Sequence, residues 1–409
     1  MAAIAGPQAQ AHLVLRDRSK QPILAGMRIV ELSAFVAAPL GGATLAALGA
    51  DVIRIEPPGG GVDIDRWPVL PNGRSLYRAG LDQGKRSVTV DMRTEDGRSH
   101  AARLITAPGD GGGILLTNLP AAGWNSYDEL RKLRSDLIMV AITGNRDSGT
   151  AVDYTVNAAV GFPWITGPED HNGPVNHVLP AWDCMTGFLA ATAILAAERH
   201  RRITGDGQLV ELSLADVGLA VVGHLGLIAE ASLDPTPRGR YGNEVYGTFG
   251  RDFTTRDGRR VMVLALTPRQ WRGLGEATGL TENFAELANR LGLDLDQEGD
   301  RWRARKEISS LIEPWIAQRK LTDVRAAFDE HRVLWGPYQT FKQLLAEDPR
   351  ASAVNPMFAM VDHPGVGRYL TTASPLRFSA AAPVPPGAAP ELGRHTKEVL
   401  HELGIEARA

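Results

Sequence analysis

Near its start the chain places an apolar strand, a helix of small residues and a second apolar strand in close succession, and this spacing limits the fold more than any other feature. Gly26-Met-Arg-Ile-Val-Glu-Leu-Ser33 reads as a short buried strand. Residues Pro39 to Leu48, rich in Ala, Leu and Gly, predict a helix that stops at Gly49. Asp51 to Glu56 forms the next strand and ends in Pro57-Pro58-Gly59-Gly60-Gly61. Two strands joined through a helix run parallel, and parallel sheets are covered on both faces. The expected class is therefore α/β.

The same rhythm continues. Strands are expected around Ser87 to Asp91, Ile114 to Thr117 and Leu137 to Ile142, with a helical stretch from Gly97. A long buried helix is expected from Asp183 to about Ile203, where Met185, Phe188, Leu189, Thr192, Ala193 and Ala196 recur at helical spacing before Thr204-Gly205. A strand from Gln208 to Leu214 and a helix from Asp216 to about Ala231 lead into the linker Asp234-Pro-Thr-Pro-Arg-Gly-Arg240. Beyond it, Val245 to Thr255, a turn at Arg256-Asp257-Gly258 and Val261 to Leu266 predict a hairpin, followed by charge-rich helices. This change of pattern marks a smaller second domain. Short strands at Pro356 to Val361 and Leu376 to Phe378 and a last helix at Lys397 to Leu403 are expected to rejoin the first. The expected division is an N-terminal extension (1–22), a large domain (23–213), a linker (214–240), a small domain (241–332) and a returning segment (333–409).

A chain of 409 residues, 44% of them apolar, can bury cores of this kind. Its 44 basic and 47 acidic side chains leave a net charge of −3, so no nucleic-acid or membrane partner is expected, and an anionic ligand needs a local cluster of cations. The single cysteine, Cys184, excludes an internal disulfide and fits a reducing compartment. The residues through about Pro22 lack the pattern of a secretory signal, and no apolar run approaches the ~18 residues of a membrane helix. A cytoplasmic protein is expected.

Asp183 opens the long buried helix, directly after Trp182. Its plain reading is an N-cap that accepts bonds from free backbone amides. A carboxylate there is also kept ionised by the helix dipole and, in a dry cleft, can attack an activated acyl carbon. Glu56 stands where a ribose-binding acid would in a dinucleotide fold. The turn before it, Ser33-Ala-Phe-Val-Ala-Ala-Pro39, lacks the glycine fingerprint, and Gly41-Gly42 fall inside the helix. Arg66-Trp67, Lys85-Arg86, Arg93 and Arg146 lie in or beside loops and strand ends; singly such residues are mostly solvated, together they can hold phosphates. His177 and Cys184 are better read as structural, and neither metal-ligand spacing nor a serine elbow is found.

At this point the residues resemble the family III CoA-transferases, the group that includes formyl-CoA transferase and the carnitine CoA-transferases. The resemblance spans Leu24 to Gly404. It rests on Leu48-Gly-Ala-Asp-Val-Ile-Arg-Ile-Glu56, Gly84-Lys-Arg-Ser87, the Asp183 to Ala197 helix with Thr204-Gly-Asp-Gly-Gln208, and Leu392-Gly-Arg-His-Thr-Lys-Glu-Val-Leu400. Further stretches look specific to a subgroup: Ser33 to Gly42, Asp153-Tyr-Thr-Val-Asn157, Asn176 to Asp183 and Phe249-Gly-Arg-Asp-Phe253.

The resemblance implies a Rossmann-like large domain made from both ends of the chain, a smaller α+β middle domain, and two identical subunits interlocked like chain links. It puts Asp183 on the family's catalytic aspartate, and Ala37, Val90, Arg93, Asn118 and Leu119 where relatives contact CoA. Trp67 falls in the acyl pocket, with Val36, Arg66, Asn145 and Gly242 assigned beside it. Pro57 and Ser126 replace CoA-binding arginines and Thr143 replaces a lysine, so Arg146 and Lys85 become candidates for the phosphates. The implied substrate is an acyl-CoA, with no resident cofactor and no metal, coenzyme A being part of the substrate. The implied reaction moves CoA between the two carboxyls of a branched unsaturated C4 diacid, through an aspartyl anhydride and an aspartyl thioester. An intermolecular transferase is the nearest rival. An acyl-CoA racemase would need a His where Ala151-Val152-Asp153 stands, and a nicotinamide enzyme would need the missing glycines.

Overall fold

The fold is taken from a computed structural model that describes residues 21–405; most of the expected N-terminal extension lies outside the described residues. The chain begins β1 (Arg28–Leu32), α1 (Ala37–Ala46), β2 (Asp51–Glu56), α2 (Leu76–Leu81), β3 (Arg86–Thr89), α3 (Glu95–Ile105), β4 (Ile114–Thr117), α4 (Tyr127–Leu133) and β5 (Ile138–Thr143). It continues with α5 (Asp153–Ala159), α6 (Phe162–Ile165), α7 (Ala181–Thr204), β6 (Gln208–Ser213), α8 (Leu214–His224) and α9 (Leu227–Leu233). The first six strands form one parallel sheet in the order β3-β2-β1-β4-β5-β6, which confirms the α/β expectation. This is the doubly wound order, in which ligands gather outside the carboxyl ends of the two central strands where the winding reverses. Here that point lies between β1 and β4.

Both faces of the sheet are buried. One core joins Ile29, Val52, Ile114, Ile138 and Val140 to α1 and α7 through Leu45, Ala190 and Ile194. The other packs Val30, Ile53, Leu115 and Met139 against Leu104 of α3 and Val399 near the C-terminus. α1 and α7 cross almost backbone to backbone. A Cβ on Gly187 would lie 2.7 Å from the Ala37 carbonyl oxygen, and one on Gly41 3.0 Å from that of Gly187, so neither position has room for a side chain. The glycines inside α1 therefore serve packing.

The remaining elements are β7 (Phe249–Thr254), β8 (Arg260–Ala265), α10 (Pro268–Thr278), α11 (Thr281–Leu291), α12 (Glu298–Arg303), α13 (Arg305–Ala317), α14 (Leu321–Glu330), β9 (Leu334–Pro337), α15 (Phe341–Glu347), β10 (Phe358–His363), β11 (Gly367–Thr372) and α16 (Thr396–Glu402). β7, β8 and β9 make an antiparallel sheet over a separate core containing Phe249, Trp271, Phe284, Ile308 and Phe328. The expected hairpin is present with shorter strands. Leu376 to Phe378, expected as a strand, is not one; the partner of β10 is β11. The expected helix after Asp216 is two helices, broken at Gly226, which takes a positive φ of 77°.

The described residues divide into two compact units, those up to Val156, 180–221 and those from Pro349 on in the first and 157–179 with 222–348 in the second. Residues 157–179, inside the stretch expected to be large domain, thus group with the second unit, as do β9 and α15 from the expected returning segment. Among the described residues, no single helix is long and apolar enough to cross a membrane.

Candidate functional site

At the switch point the loop after β1 is tied to the loop after β4. The Asn118 side chain accepts from Ala34 N–H at 2.9 Å and donates to the Ala34 carbonyl at 2.7 Å. The next residue, Phe35, has a positive φ of 63°, uncommon for a bulky side chain, and its N–H donates to Asp63 at 3.2 Å. Asp63 is in turn gripped by Arg54, whose Nη2 lies 2.9 and 3.0 Å from its two oxygens. The strained turn is thus held from two sides, as the entry to α1 requires. Val36, the N-cap of α1, supplies no side-chain acceptor, no acid follows in the first turn and Pro39 has no N–H, so the amides of Ala37 and Ala38 are the two left without a partner among the described residues and open to an anion.

Beneath this loop lies a cluster of buried charges: Glu31, Glu56, Asp63 and Asp82 with Arg54, Arg78 and Lys85, each no more than 7% exposed. Asp82 meets Arg54 at 2.7 Å, Arg78 at 3.1 Å and Lys85 at 3.5 Å. Burial pushes its carboxyl up, but these three cations outweigh that and hold it below the usual range. Glu31 is also wholly buried; there burial outweighs Lys85 and Arg54, and its pKa is raised.

This cluster corrects one reading and tells further against another that the missing glycines already disfavour. Lys85 Nζ lies 2.9 Å from Glu31 and 2.8 Å from the Pro39 carbonyl oxygen, with no exposed face, so it is a structural cation and does not meet CoA phosphates. Glu56 is taken by Arg78 at 2.7 Å and Ser87 at 2.8 Å, which leaves it unable to bind a ribose. Arg86 is likewise engaged, with Asp51 and Glu402.

Asp183 is the third residue of α7, one turn before Gly187 and so near the start of α1. It is not the N-cap expected from the sequence. That position is Pro180, and the N–H groups of Trp182 and Asp183 donate to Asp153 Oδ2 at 2.8 and 3.1 Å. The Asp183 side chain itself forms no hydrogen bond or ion pair among the described residues. Burial first, and then the charge of Asp153, push its pKa up to about 6 against the pull of Arg66. A carboxylate lacking hydrogen-bond donors is a better nucleophile than a capping one. The Arg66 guanidinium is 5.1 Å from the centre of the Phe35 ring and 5.2 Å from that of Tyr77. Among the described residues no carboxylate pairs with it, so it is a cation available to an anion beside Asp183. Burial raises the Tyr77 hydroxyl, Arg66 lowers it, and Asp183 adds to the rise.

The other expected site residues separate into two groups. Val36, Ala37, Asn118 and Leu119 gather at the switch point, with Val90 buried at the end of β3. Trp67 is 80% exposed. Arg93 and Arg146 are also exposed, and pair with Asp91 at 2.8 Å and Asp216 at 2.8 Å. Asn145 belongs to the turn after β5, where its N–H donates to the Gly149 carbonyl at 3.1 Å. Gly242 lies in the second unit, and its N–H is already donated to the Gly167 carbonyl at 3.0 Å, so it offers no free amide to a substrate. His177 bonds the Leu179 carbonyl at 2.6 Å. The Cys184 thiol is pushed up by burial and by Asp183 and Asp153, and so is not an activated nucleophile. Sequence reasoning missed Asp153, Tyr77 and the Arg54–Asp63 clamp. An arginine in the middle of an otherwise apolar buried strand was the visible signal for the clamp.

This geometry defines an α/β enzyme with an unpaired, partly buried carboxylate on a helix start beside the switch point of a doubly wound sheet. The chain belongs to CoA-transferase family III, whose family model matches residues 24–396. It is 57% identical to 2-methylfumaryl-CoA isomerase of Chloroflexus aurantiacus, over 93% of each chain. It is 29% identical to succinyl-CoA:mesaconate CoA-transferase of Haloarcula hispanica, over 93% of this chain and 96% of that one. A crystal structure of a CAIB/BAIF family protein from Brucella suis superposes with a TM-score of 0.75 at 27% identity, covering 94% of this chain and 100% of the other.

Proposed function

We propose that this chain moves CoA between the two carboxyls of 2-methylfumaryl-CoA within one molecule, with Asp183 as the group that carries acyl and CoA in turn. The observation that carries the reading is the unpaired Asp183 carboxylate, in a chain 57% identical to a 2-methylfumaryl-CoA isomerase along nearly its whole length. The carboxylate attacks the thioester carbonyl, which forms a mixed anhydride and expels CoA as thiolate. The thiolate then attacks the aspartyl carbonyl, leaving an aspartyl-CoA thioester and the free diacid. After the diacid turns, its other carboxylate attacks the aspartyl thioester, re-forms an anhydride and expels CoA as thiolate again. The returning thiolate attacks the acyl carbon and frees Asp183.

Retention of the diacid is what separates an isomerase from an intermolecular transferase, because every other step is shared. Arg66 is well placed to retain it, since its guanidinium lies 5.1 and 5.2 Å from the centres of two rings, has no carboxylate partner among the described residues, and can hold whichever carboxylate is idle. The leading amides of α1 suit a CoA phosphate, with Ala37, Asn118 and Leu119 around it, while Arg93 and Arg146 would first have to leave their aspartates. A second copy of the chain, interlocked with the first, is part of this reading. Trp67, Val178, Leu233 and Phe341, all at least 80% exposed, are apolar surface that such a partner would cover.

Two outcomes follow. With isotopically labelled free 2-methylfumarate in the assay, product carries almost no label, and Arg66→Gln raises its incorporation by roughly tenfold or more as the diacid escapes. Label entering product at the turnover rate of the unchanged enzyme would make it an intermolecular transferase. In a pH series, kcat/KM stays level above about pH 6 and falls about tenfold per unit below it, because only ionised Asp183 attacks. A limb near pH 4 would mean that the carboxylate is not desolvated in the working enzyme.

A further inference from the structure

Helix α7 starts without a cap of its own. Pro180, at its N-cap, has no side-chain acceptor, although the first-turn N–H groups of a helix need partners. Asp153, the first residue of α5, supplies the acceptor from a distant part of the chain: Oδ2 takes both Trp182 N–H and Asp183 N–H. A side-chain oxygen bonded to the second and third amides of a helix is what an N-cap residue provides. Asp153 is only 2% exposed, and its Oδ1 is buried with no hydrogen-bond partner among the described residues. Burying a carboxylate with one oxygen unpaired is unfavourable. Capping alone does not require it, since a neutral Asn caps as well as Asp. The charge therefore has a use apart from the cap, and its nearest titratable neighbour along these bonds is Asp183.

We infer that Asp153 is a positioning residue for Asp183: it caps α7 from outside the helix, which leaves the Asp183 side chain free of its own backbone, and it fixes a second negative charge next to it. This rests on the reading of Asp183 as the acyl-carrying carboxylate. Had Asp183 capped α7 itself, two N–H donors would stabilise its ionised form and weaken it as a nucleophile. With the donors on Asp153, the two acids divide the work, one bound and structural, the other unbound and reactive. The groups acting on Asp183 are Asp153 from α5, Arg66 from the segment between β2 and α2, Tyr77 from α2, and its neighbour Cys184. Asp153 raises the pKa of Asp183, and Arg66 opposes it.

Two substitutions separate cap from charge. Asp153→Asn keeps an oxygen for both amides and removes the charge. Its melting temperature should match the unchanged enzyme, and the acidic limb of kcat/KM should move down by about half a pH unit or more. At pH 8 its kcat should fall roughly 2- to 3-fold with KM little changed, as a less basic carboxylate attacks more slowly. Asp153→Ala removes both functions and should lower kcat by about 100-fold or more. If it fails to fold, Asp153→Asn still decides, because it keeps the cap. An unmoved limb and unchanged kcat in Asp153→Asn would overturn the inference. Asp183→Ala run in parallel keeps the two claims apart: if it is inactive while Asp153→Asn behaves as wild type, only the role of Asp153 is lost, whereas an active Asp183→Ala removes the parent reading.

Discussion

Asp183→Ala should lose at least about 10⁴-fold in kcat and keep its fold. The loss is large because both covalent intermediates are built on this side chain, and no neighbour can replace it. Cys184 is an unactivated thiol, and Asp153 is buried and bonded to two amides. The fold should survive because Asp183 holds nothing: its carboxylate has no hydrogen bond or ion pair among the described residues, and the helix start is capped by Asp153. The sign of its pKa shift points the same way. A folded pKa of about 6 lies above the ordinary value of 3.8, so the folded protein binds this proton more tightly than the unfolded chain. Whatever stability that protonation contributes is present below the unfolded pKa and gone once the pH has risen through about 6. At neutral pH the ionised group is a small burden, and alanine should leave the melting temperature level or slightly higher. Activity assays beside thermal melts check both halves, and a variant that unfolds would show that Asp183 is structural.

The largest expected loss of stability comes from Lys85→Met, about 3–5 kcal/mol in denaturant unfolding. Lys85 is fully buried against Glu31 and also reaches Asp82 and the Pro39 carbonyl. Taking away the ammonium leaves Glu31, among the described residues, with Ser33 as its one close donor, at 2.6 Å, and strips one of three cations from Asp82. Methionine fills a similar volume, so the cost is electrostatic rather than a cavity. The double variant Glu31→Gln with Lys85→Met should recover a good part of the loss, since buried pairs removed together cost far less than one partner alone. Had Lys85 been a phosphate contact on the surface, Lys85→Met would instead weaken CoA binding and leave stability within about 0.5 kcal/mol.

The contrast over Lys85 shows where sequence reading succeeds and where it stops. The βαβ start was legible because buried parallel strands read as apolar runs and the helix between them ends at a glycine; Asp51–Glu56 and Ile114–Thr117 fall where expected. Asp183 stood out as an acid at the head of an apolar helix. Its register did not, because the residue that caps α7 lies about 30 residues away, and caps are usually sought within a few positions. Gly84-Lys85-Arg86 looked like a basic patch because isolated cations are usually solvated. Asp82 is a local partner three residues before Lys85, but Glu31 and Asp51 come from other strands, and such pairings become visible only after the sheet has formed. Residues 157–179 carry no strong periodicity that would separate them from the unit on either side in the chain.

The central claim is that Asp183 becomes covalently bonded to its cargo, and trapping it tests this most directly. The enzyme is incubated with 2-methylfumaryl-CoA, quenched with hydroxylamine or borohydride, digested, and weighed peptide by peptide. The account predicts a hydroxamate, or an alcohol after reduction, on the peptide and at the position of Asp183, and on no peptide of Asp183→Ala. An unmodified Asp183 in an enzyme that is turning over, under quench conditions that trap a synthetic aspartyl thioester, would contradict it.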